Sequence, residues 1–591
     1  MNEWEETLED RYYDWPLFTR ILRYLRPYGK LVVLSVFLLL AVSLLNLAGP
    51  YLTKIAIDDH IKVGDYAGLD RIALIYIVVL VTAFVCQFFQ YYTIQFIGQR
   101  VMYDLRTQVF GHLHKMSFKF FDRNPIGKMI TRTVNDIEVL NEMLTSGLIL
   151  VFSDLFTLVG IFFMLAYLDW RLMLVVCAVF PFLYLATNAY RTRARDALRK
   201  NRAHVTKLNT LLEENLSGMN TVQMFNQEDN RYREFTGVSR SKLSEDLRSL
   251  FYNSVYLPSI DVFSAIGMGL VIWYGGGRFV QNEVELGVLV AFMQYLHKFF
   301  EPIRDLAEKF NIIQTAMASS ERIFELLDTP EDMQNPAQPK PLPKIEGRVE
   351  FENVWFAYKN EDYVLQDVSF ALEPGESLAI VGATGSGKTT IVNTLYRFYD
   401  IQKGAIRVDG ASLAEVDKYA LRSQMALVQQ DVFLFARNIL ENIRLGNTDL
   451  GVEEIESIAH AVNSHHFIEN LPHKYEQPLM EGGNSLSLGQ KQLLSFARAL
   501  AFNPRILILD EATSNVDTET EKKIQDAMQK LIRGRTSIII AHRLSTLQHV
   551  DKVLVLRHGR VVEFGTRQEL IKQRGTYYNL LKLQSDLTKG P

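Results

Sequence analysis

The 591-residue sequence predicts an all-α membrane domain of six transmembrane helices with long cytoplasmic extensions, followed by a soluble α/β domain. Three observations carry this reading. Long runs without charge recur only in the first half, a Pro-rich segment follows them, and short Val/Ile-rich strands then alternate with helical stretches. Hydrophobic residues make up 48% and charged residues 22% of the chain, an average that hides an apolar half joined to an ordinary soluble one.

The chain begins with an acidic, polar stretch that lacks the basic start and apolar core of a secretory signal, so its N-terminus is expected in the cytoplasm. From Trp15 to Lys30, aromatic and Leu positions mix with Arg20, Arg23, Arg26 and Lys30, as in a helix lying on anionic membrane lipid; a cytoplasmic helix with a solvated face fits equally. The first span is placed at about 31–52, where ~20 uncharged residues in a helix cross a hydrocarbon core of ~30 Å. Further spans are placed at about 72–95, 145–168, 172–190, 251–274 and 286–305; the last is short and carries His297, Lys298 and Glu301.

Lys and Arg set the orientation. Segment 96–146 carries seven and 191–250 carries twelve, so these long loops are cytoplasmic, whereas 53–71, Asp169-Trp170-Arg171 and 275–285 fit outside. Both termini and the soluble domain are therefore expected in the cytoplasm. Within the long loops, 120–136 and 213–227 interrupt helical patterns with Gly or Pro, as short elements that dock on a soluble domain would. Asp154 and Asp261 fall in or near spans, where charge is costly; Asp261 is placed toward the inner face in a solvated or interhelical role. Cys86 and Cys177 lie in apolar runs and suggest neither a disulfide nor a metal site.

The domain boundaries follow as 1–325 for the membrane domain, 326–347 for a linker, and 348–591 for the soluble domain. In that last part the strand LAIVG runs into Gly382-Ala383-Thr384-Gly385-Ser386-Gly387-Lys388-Thr389-Thr390, a phosphate-binding loop in its strand-to-helix context. Its glycines let backbone N–H groups curl around phosphates, Lys388 meets the outer phosphates, and Thr389 can ligate Mg²⁺. Downstream, an apolar strand ends in Asp510-Glu511, where Asp510 can hold Mg²⁺ and Glu511 can polarise an attacking water. A net charge of −4 gives no basic excess and excludes nucleic acid as the main partner.

Leu486-Ser487-Leu488-Gly489-Gln490, upstream of the acidic strand, resembles the LSGGQ signature of ABC transporters. Other positions match in order: Tyr358 as the aromatic that stacks on adenine, Gln430 in the Q-loop as a catalytic and metal-facing amide, Ser514-Asn515-Val516-Asp517 as the D-loop, and His542 as the switch histidine. Glu481 partly matches the signal-relaying X-loop, whose usual preceding residues are absent. Over essentially its whole length the chain resembles a bacterial multidrug-type ABC exporter half-transporter. The resemblance implies an α/β P-loop ABC nucleotide-binding domain, ATP with Mg²⁺, coupling helices within 120–136 and 213–227, and residence in the cytoplasmic membrane.

It also implies a dimer in which each ATP lies between the phosphate loop of one cassette and the signature of the other. Ser487, Gly489 and Gln490 would then face the partner's γ-phosphate, at a helix beginning near Lys491. Leu488 stands where the family has glycine, while Glu511 and His542 are retained. That asymmetry favours a heterodimer with a sister half-transporter over a homodimer. The function implied is ATP-coupled export of an amphipathic substrate. An ATP-gated channel or regulatory subunit is the alternative, and Glu511 argues for turnover.

Overall fold

The computed structural model describes residues 15–445, 447, 449–510, 518–541 and 550–588, which form two compact units. The first contains residues up to His114 together with Ile126–Thr329; the second contains Lys115–Pro125 and everything from Pro330 onward.

The first unit is helical throughout. Its helices are α1 (Trp15–Arg23), α2 (Gly29–Ile55) and α3 (Tyr66–Leu113), and, after α4 (Phe118–Arg123) of the other unit, α5 (Ile126–Thr133), α6 (Asn135–Glu142) and α7 (Ile149–Cys177). There follow α8 (Phe180–Ser217), α9 (Met219–Met224), α10 (Glu228–Leu270), α11 (Gly276–Val280) and α12 (Leu286–Asp328). The 48 residues of α3 extend about 70 Å at ~1.5 Å per residue, more than twice a hydrocarbon core of ~30 Å. The surplus in α3, α8, α10 and α12 is the set of cytoplasmic extensions expected from the sequence.

Four helical runs, Arg26–Ile61, Tyr66–Leu113, Ile126–Cys177 and Glu228–Val280, are long and apolar enough to cross a membrane. The other two predicted spans also fall in helices, but with interruptions. Segment 172–190 is broken by a turn at Ala178–Val179, and 286–305 is diluted by Gln294, His297, Lys298 and Glu301.

Local chemistry sets the ends and bends of these helices. At Asp169 the backbone leaves helical geometry (φ −161°, ψ 106°), and its carboxylate accepts from the N–H groups of Arg171 and Leu172, both at 2.9 Å, so that it caps the next segment. Arg278 reaches the same carboxylate at 2.5 Å, tying the two predicted outer connections together. Pro50 inside α2 cannot donate to the carbonyl four residues back. The Asn46 carbonyl left short of a partner is served from α12, where Lys298 Nζ donates to it at 2.7 Å, and the Tyr295 hydroxyl adds a bond of 2.5 Å to the neighbouring Leu47 carbonyl. Around this junction Ile161, Leu172, Ile260, Phe292, Leu296 and Phe300 are buried in one core.

Asp154 and Asp261 both have interhelical partners, Lys309 and Arg304 of α12. The N-terminal helix α1 is pinned to the last turns of α12: Arg20 binds Asp328 through two bonds of 2.5 and 2.7 Å and lies 4.2 Å above the ring centre of Phe324.

The second unit holds two sheets. Strands β1 (Val349–Ala357), β2 (Tyr363–Leu372), β4 (Lys403–Val408) and β5 (Ala411–Ser412) form an antiparallel sheet in the order β2-β1-β4-β5. A six-stranded sheet runs β10-β9-β3-β8-β7-β6. It comprises β3 (Ser377–Val381), β6 (Met425–Val428), β7 (Ile506–Asp510), β8 (Thr536–Ile540), β9 (Lys552–Arg557) and β10 (Arg560–Thr566). From β9 to β6 its strands are parallel, and β3 and β8 are buried along their full length, which is why they read as unbroken apolar runs.

Candidate nucleotide site and the family

In an open parallel sheet the carboxyl ends of the strands form the crevice in which ligands bind. Here the ends of β3, β6 and β7 carry the phosphate loop, Gln430 and Asp510, and the register Val428↔Leu509 keeps the last two adjacent. Glu511, the D-loop with Asp517, and His542 lie outside the described residues, immediately after β7 and the end of β8.

The loop is shaped by residues that admit no side chain. A Cβ on Gly382 would stand 2.3 Å from the carbonyl oxygen of Leu556, and one on Gly387 would stand 2.9 Å from Leu365 at a φ of 104°. Gly387 caps the helix α13 (Lys388–Leu395), whose first N–H groups open into the loop. Lys388 folds back so that Nζ donates to the carbonyls of Gly382 (2.9 Å) and Ala383 (3.0 Å). Burial lowers the pKa of this ammonium, and the charge of Asp510 opposes that shift. The Ser386 hydroxyl is buried without a hydrogen-bond partner. An orphaned hydroxyl, a glycine cradle and a lysine parked on loop carbonyls fit a polyphosphate. Thr384, Gly385 and Thr389 are exposed along the same loop.

Tyr358 follows β1 and is held in place: its hydroxyl donates to Thr390 at 3.2 Å and accepts from Asn393 at 3.3 Å, while Phe356 and Tyr399 pack edge-on against it. Thr390 is buried, so its part is to position Tyr358. A cavity of about 330 Å³ opens beside this ring, lined by Tyr358, Phe398, Tyr399, Gln402, Lys119 and Arg123. The last two belong to the α4 region. On the cassette, Phe118 stacks on Phe398 (5.1 Å), the Tyr399 hydroxyl donates to Asp122, and Arg123 donates to the Tyr358 carbonyl at 3.4 Å. The docked element is thus 118–123, displaced from the expected 120–136, because Pro125 ends it and 126–142 continues as helices of the other unit. Phe118, Asp122, Phe398 and Tyr399 escaped the sequence reading. No local pattern joins positions 277 residues apart, as Tyr399 and Asp122 are.

At the signature, the helix α14 runs Leu488–Ala501, beginning three residues before the expected start near Lys491. The cause is a capping box. Ser487 accepts from Gln490 N at 3.3 Å, and the Gln490 side chain accepts from Ser487 N at 2.9 Å. Its S-x-x-Q spacing was legible in the sequence. The Gln490 side chain therefore supports the cap, Gly489 is buried, and Ser487 and Leu488 are exposed. Among the described residues, no group of three or more His, Cys, Asp or Glu side chains is placed to hold a metal ion, so a cation at the nucleotide would rely on Thr389, Gln430 and Asp510 together with phosphate oxygens.

A helical membrane unit joined to a cassette with this loop, acidic strand and capped signature defines an ATP-binding membrane transporter. The ABC transporter transmembrane region family matches residues 32–303, and the ABC transporter family matches 365–514. The chain is 37% identical over 575 residues to an uncharacterised ABC transporter ATP-binding protein of Bacillus subtilis, YknV, covering 97% of this chain and 95% of that one. It is 37% identical to a probable multidrug resistance ATP-binding/permease protein, YheH, of the same organism (88% and 77% covered). It is also 34% identical to an ATP-dependent lipid A-core flippase of Syntrophus aciditrophicus (96% and 94%). The chain belongs to the ABC transporter family, as a bacterial exporter half-transporter: a multi-pass inner-membrane protein that couples ATP hydrolysis to transport.

Proposed function

We propose that this chain exports an amphipathic or hydrophobic substrate as one half of a dimer with a sister half-transporter. On this reading 1–325 is the membrane domain, 326–347 the linker and 348–591 the cassette. The observation that carries the proposal is the glycine cradle at the end of β3, with Lys388 resting on loop carbonyls beside Asp510. Tyr358 stacks on adenine, and the N–H groups from Gly382 to Thr390 wrap the phosphates. Lys388 leaves the Gly382 and Ala383 carbonyls to balance charge on the outer phosphate. Glu511 polarises the attacking water, and His542 and Gln430 contact the reacting end. Thr389, Gln430 and Asp510 would hold a Mg²⁺ ion, which would supply charge neutralisation at the outer phosphates.

The second half of each site comes from the partner cassette. Ser487, exposed, and Gly489 lie at the N-terminus of α14, where the helix dipole favours a phosphate, and Asp517 belongs to the same interface. Leu488, 41% exposed at the first position of that helix, crowds the approach that glycine would leave open. This supports a heterodimer in which the sister chain carries the intact signature. Met224 at the end of α9 and Phe225 just after it are exposed, as expected of a coupling helix that docks on the partner's cassette. The names of the relatives, a multidrug resistance protein and a lipid A-core flippase, support an amphipathic cargo.

The test is reconstitution into nanodiscs, alone and with the partner that co-purifies from the native membrane. Substrate-stimulated ATPase is expected only with the partner and is lost in Glu511→Gln. Full stimulated turnover by the chain alone would refute the heterodimer.

A further inference from the structure

Lys298 carries more charge than its structural duty needs. In the span placed at 286–305 it lies twelve residues beyond Leu286, about 18 Å at ~1.5 Å per residue and past the middle of a ~30 Å hydrocarbon core. Its ammonium is fixed by the 2.7 Å bond to the Asn46 carbonyl that Pro50 leaves free. A neutral donor would suffice there, since the Tyr295 hydroxyl serves the adjacent Leu47 carbonyl without charge. A cation at this depth is expensive and marks a functional position.

Two neighbouring cations of α12 have carboxylate partners. Arg304 pairs with Asp261 and Lys309 with Asp154. Among the described residues Lys298 forms no ion pair; Glu301, one turn further on, is exposed and outside ion-pair distance. Lys298 is half-buried, with His297 and Asn46 exposed beside it, so its two remaining N–H donors border an accessible polar patch.

We propose that Lys298 is the headgroup anchor of the transport path and that the cargo is an anionic amphiphile bearing a phosphate or carboxylate. The proposal rests on the exporter reading above. Glu301, exposed and without a hydrogen bond that fixes it, repels such a headgroup from the next turn and so helps place it at Lys298.

The test measures stimulation of ATPase above each sample's own basal rate, in the assembly as it purifies from its membrane. Nanodiscs of phosphatidylcholine receive increasing phosphatidylglycerol, cholate or tetraphenylphosphonium. Stimulation by phosphatidylglycerol identifies a lipid headgroup, and stimulation by cholate alone identifies a soluble anion; either supports the proposal. Lys298→Gln keeps a donor for Asn46 and should raise the half-maximal anion concentration at least tenfold, while Lys298→Arg should restore it. If Lys298→Gln does not assemble, the preference of the unmodified protein for anion over cation still decides. Stimulation by the cation alone, by neither class while basal hydrolysis persists, or an unchanged anion response in Lys298→Gln overturns the anchor and leaves the exporter reading standing. Absence of basal hydrolysis would instead count against the exporter reading itself.

Discussion

Replacing Tyr399 with Phe should loosen α4 from the cassette while leaving the phosphate loop intact. The hydroxyl lost donates to the Asp122 carboxylate, and hydrogen bonds to charged groups contribute about 1.5–3 kcal/mol. Asp122 is exposed and water can replace the lost donor, so the lower end, about 1.5 kcal/mol, applies. That is roughly a tenfold shift in the docking equilibrium. Phe118→Ala removes the stack on Phe398 and the edge contact with Tyr399, at about 0.5–1.5 kcal/mol each beyond area burial. In nanodiscs both variants should keep basal ATPase and lose most of its stimulation by substrate. The Tyr399 pKa is raised by burial first and by the bond to Asp122 second. A group raised in the folded state gives its full stabilisation below the unfolded value of ~10 and loses it as pH rises through the folded value. The defect should therefore be the same from about pH 6 to about pH 9. If Tyr399→Phe and Phe118→Ala both retained the wild-type ratio of stimulated to basal rate, α4 would not carry the coupling.

Three further outcomes follow from the same geometry. Leu488→Gly should increase kcat of the dimer several-fold by opening the approach to the N-terminus of α14; an unchanged kcat would mean that this signature does not limit turnover. Gly387→Ala should weaken ATP binding roughly ten- to hundredfold, because φ of 104° and the contact with Leu365 together impose a strain on the order of 1–3 kcal/mol on the loop, as nucleotide titration would show. Arg20→Ala loses an exposed pair with Asp328 and the Phe324 face, on the order of 1 kcal/mol in all, and faster amide exchange should appear in α1 and the last turn of α12.

The nucleotide site was legible because its chemistry is local. A glycine loop after a strand, an acidic pair ending another and a signature before it are each short and ordered along the chain. Membrane helices were legible from uncharged runs, less so where α12 carries Lys298 to meet a need of α2. The partners of Asp154 and Asp261 and the seat of α4 depend on residues 43 to 277 positions away, which no window on the sequence joins. The start of α14 is local, because Ser487 and Gln490 carry the S-x-x-Q spacing of a capping box.

The most direct test of ATP-driven export measures uptake of an amphiphile into inside-out vesicles containing the purified assembly, with and without Lys388→Ala. ATP-dependent uptake that disappears together with hydrolysis in the variant is the predicted result. Uptake that proceeds without ATP, or hydrolysis that survives loss of Lys388, would contradict it.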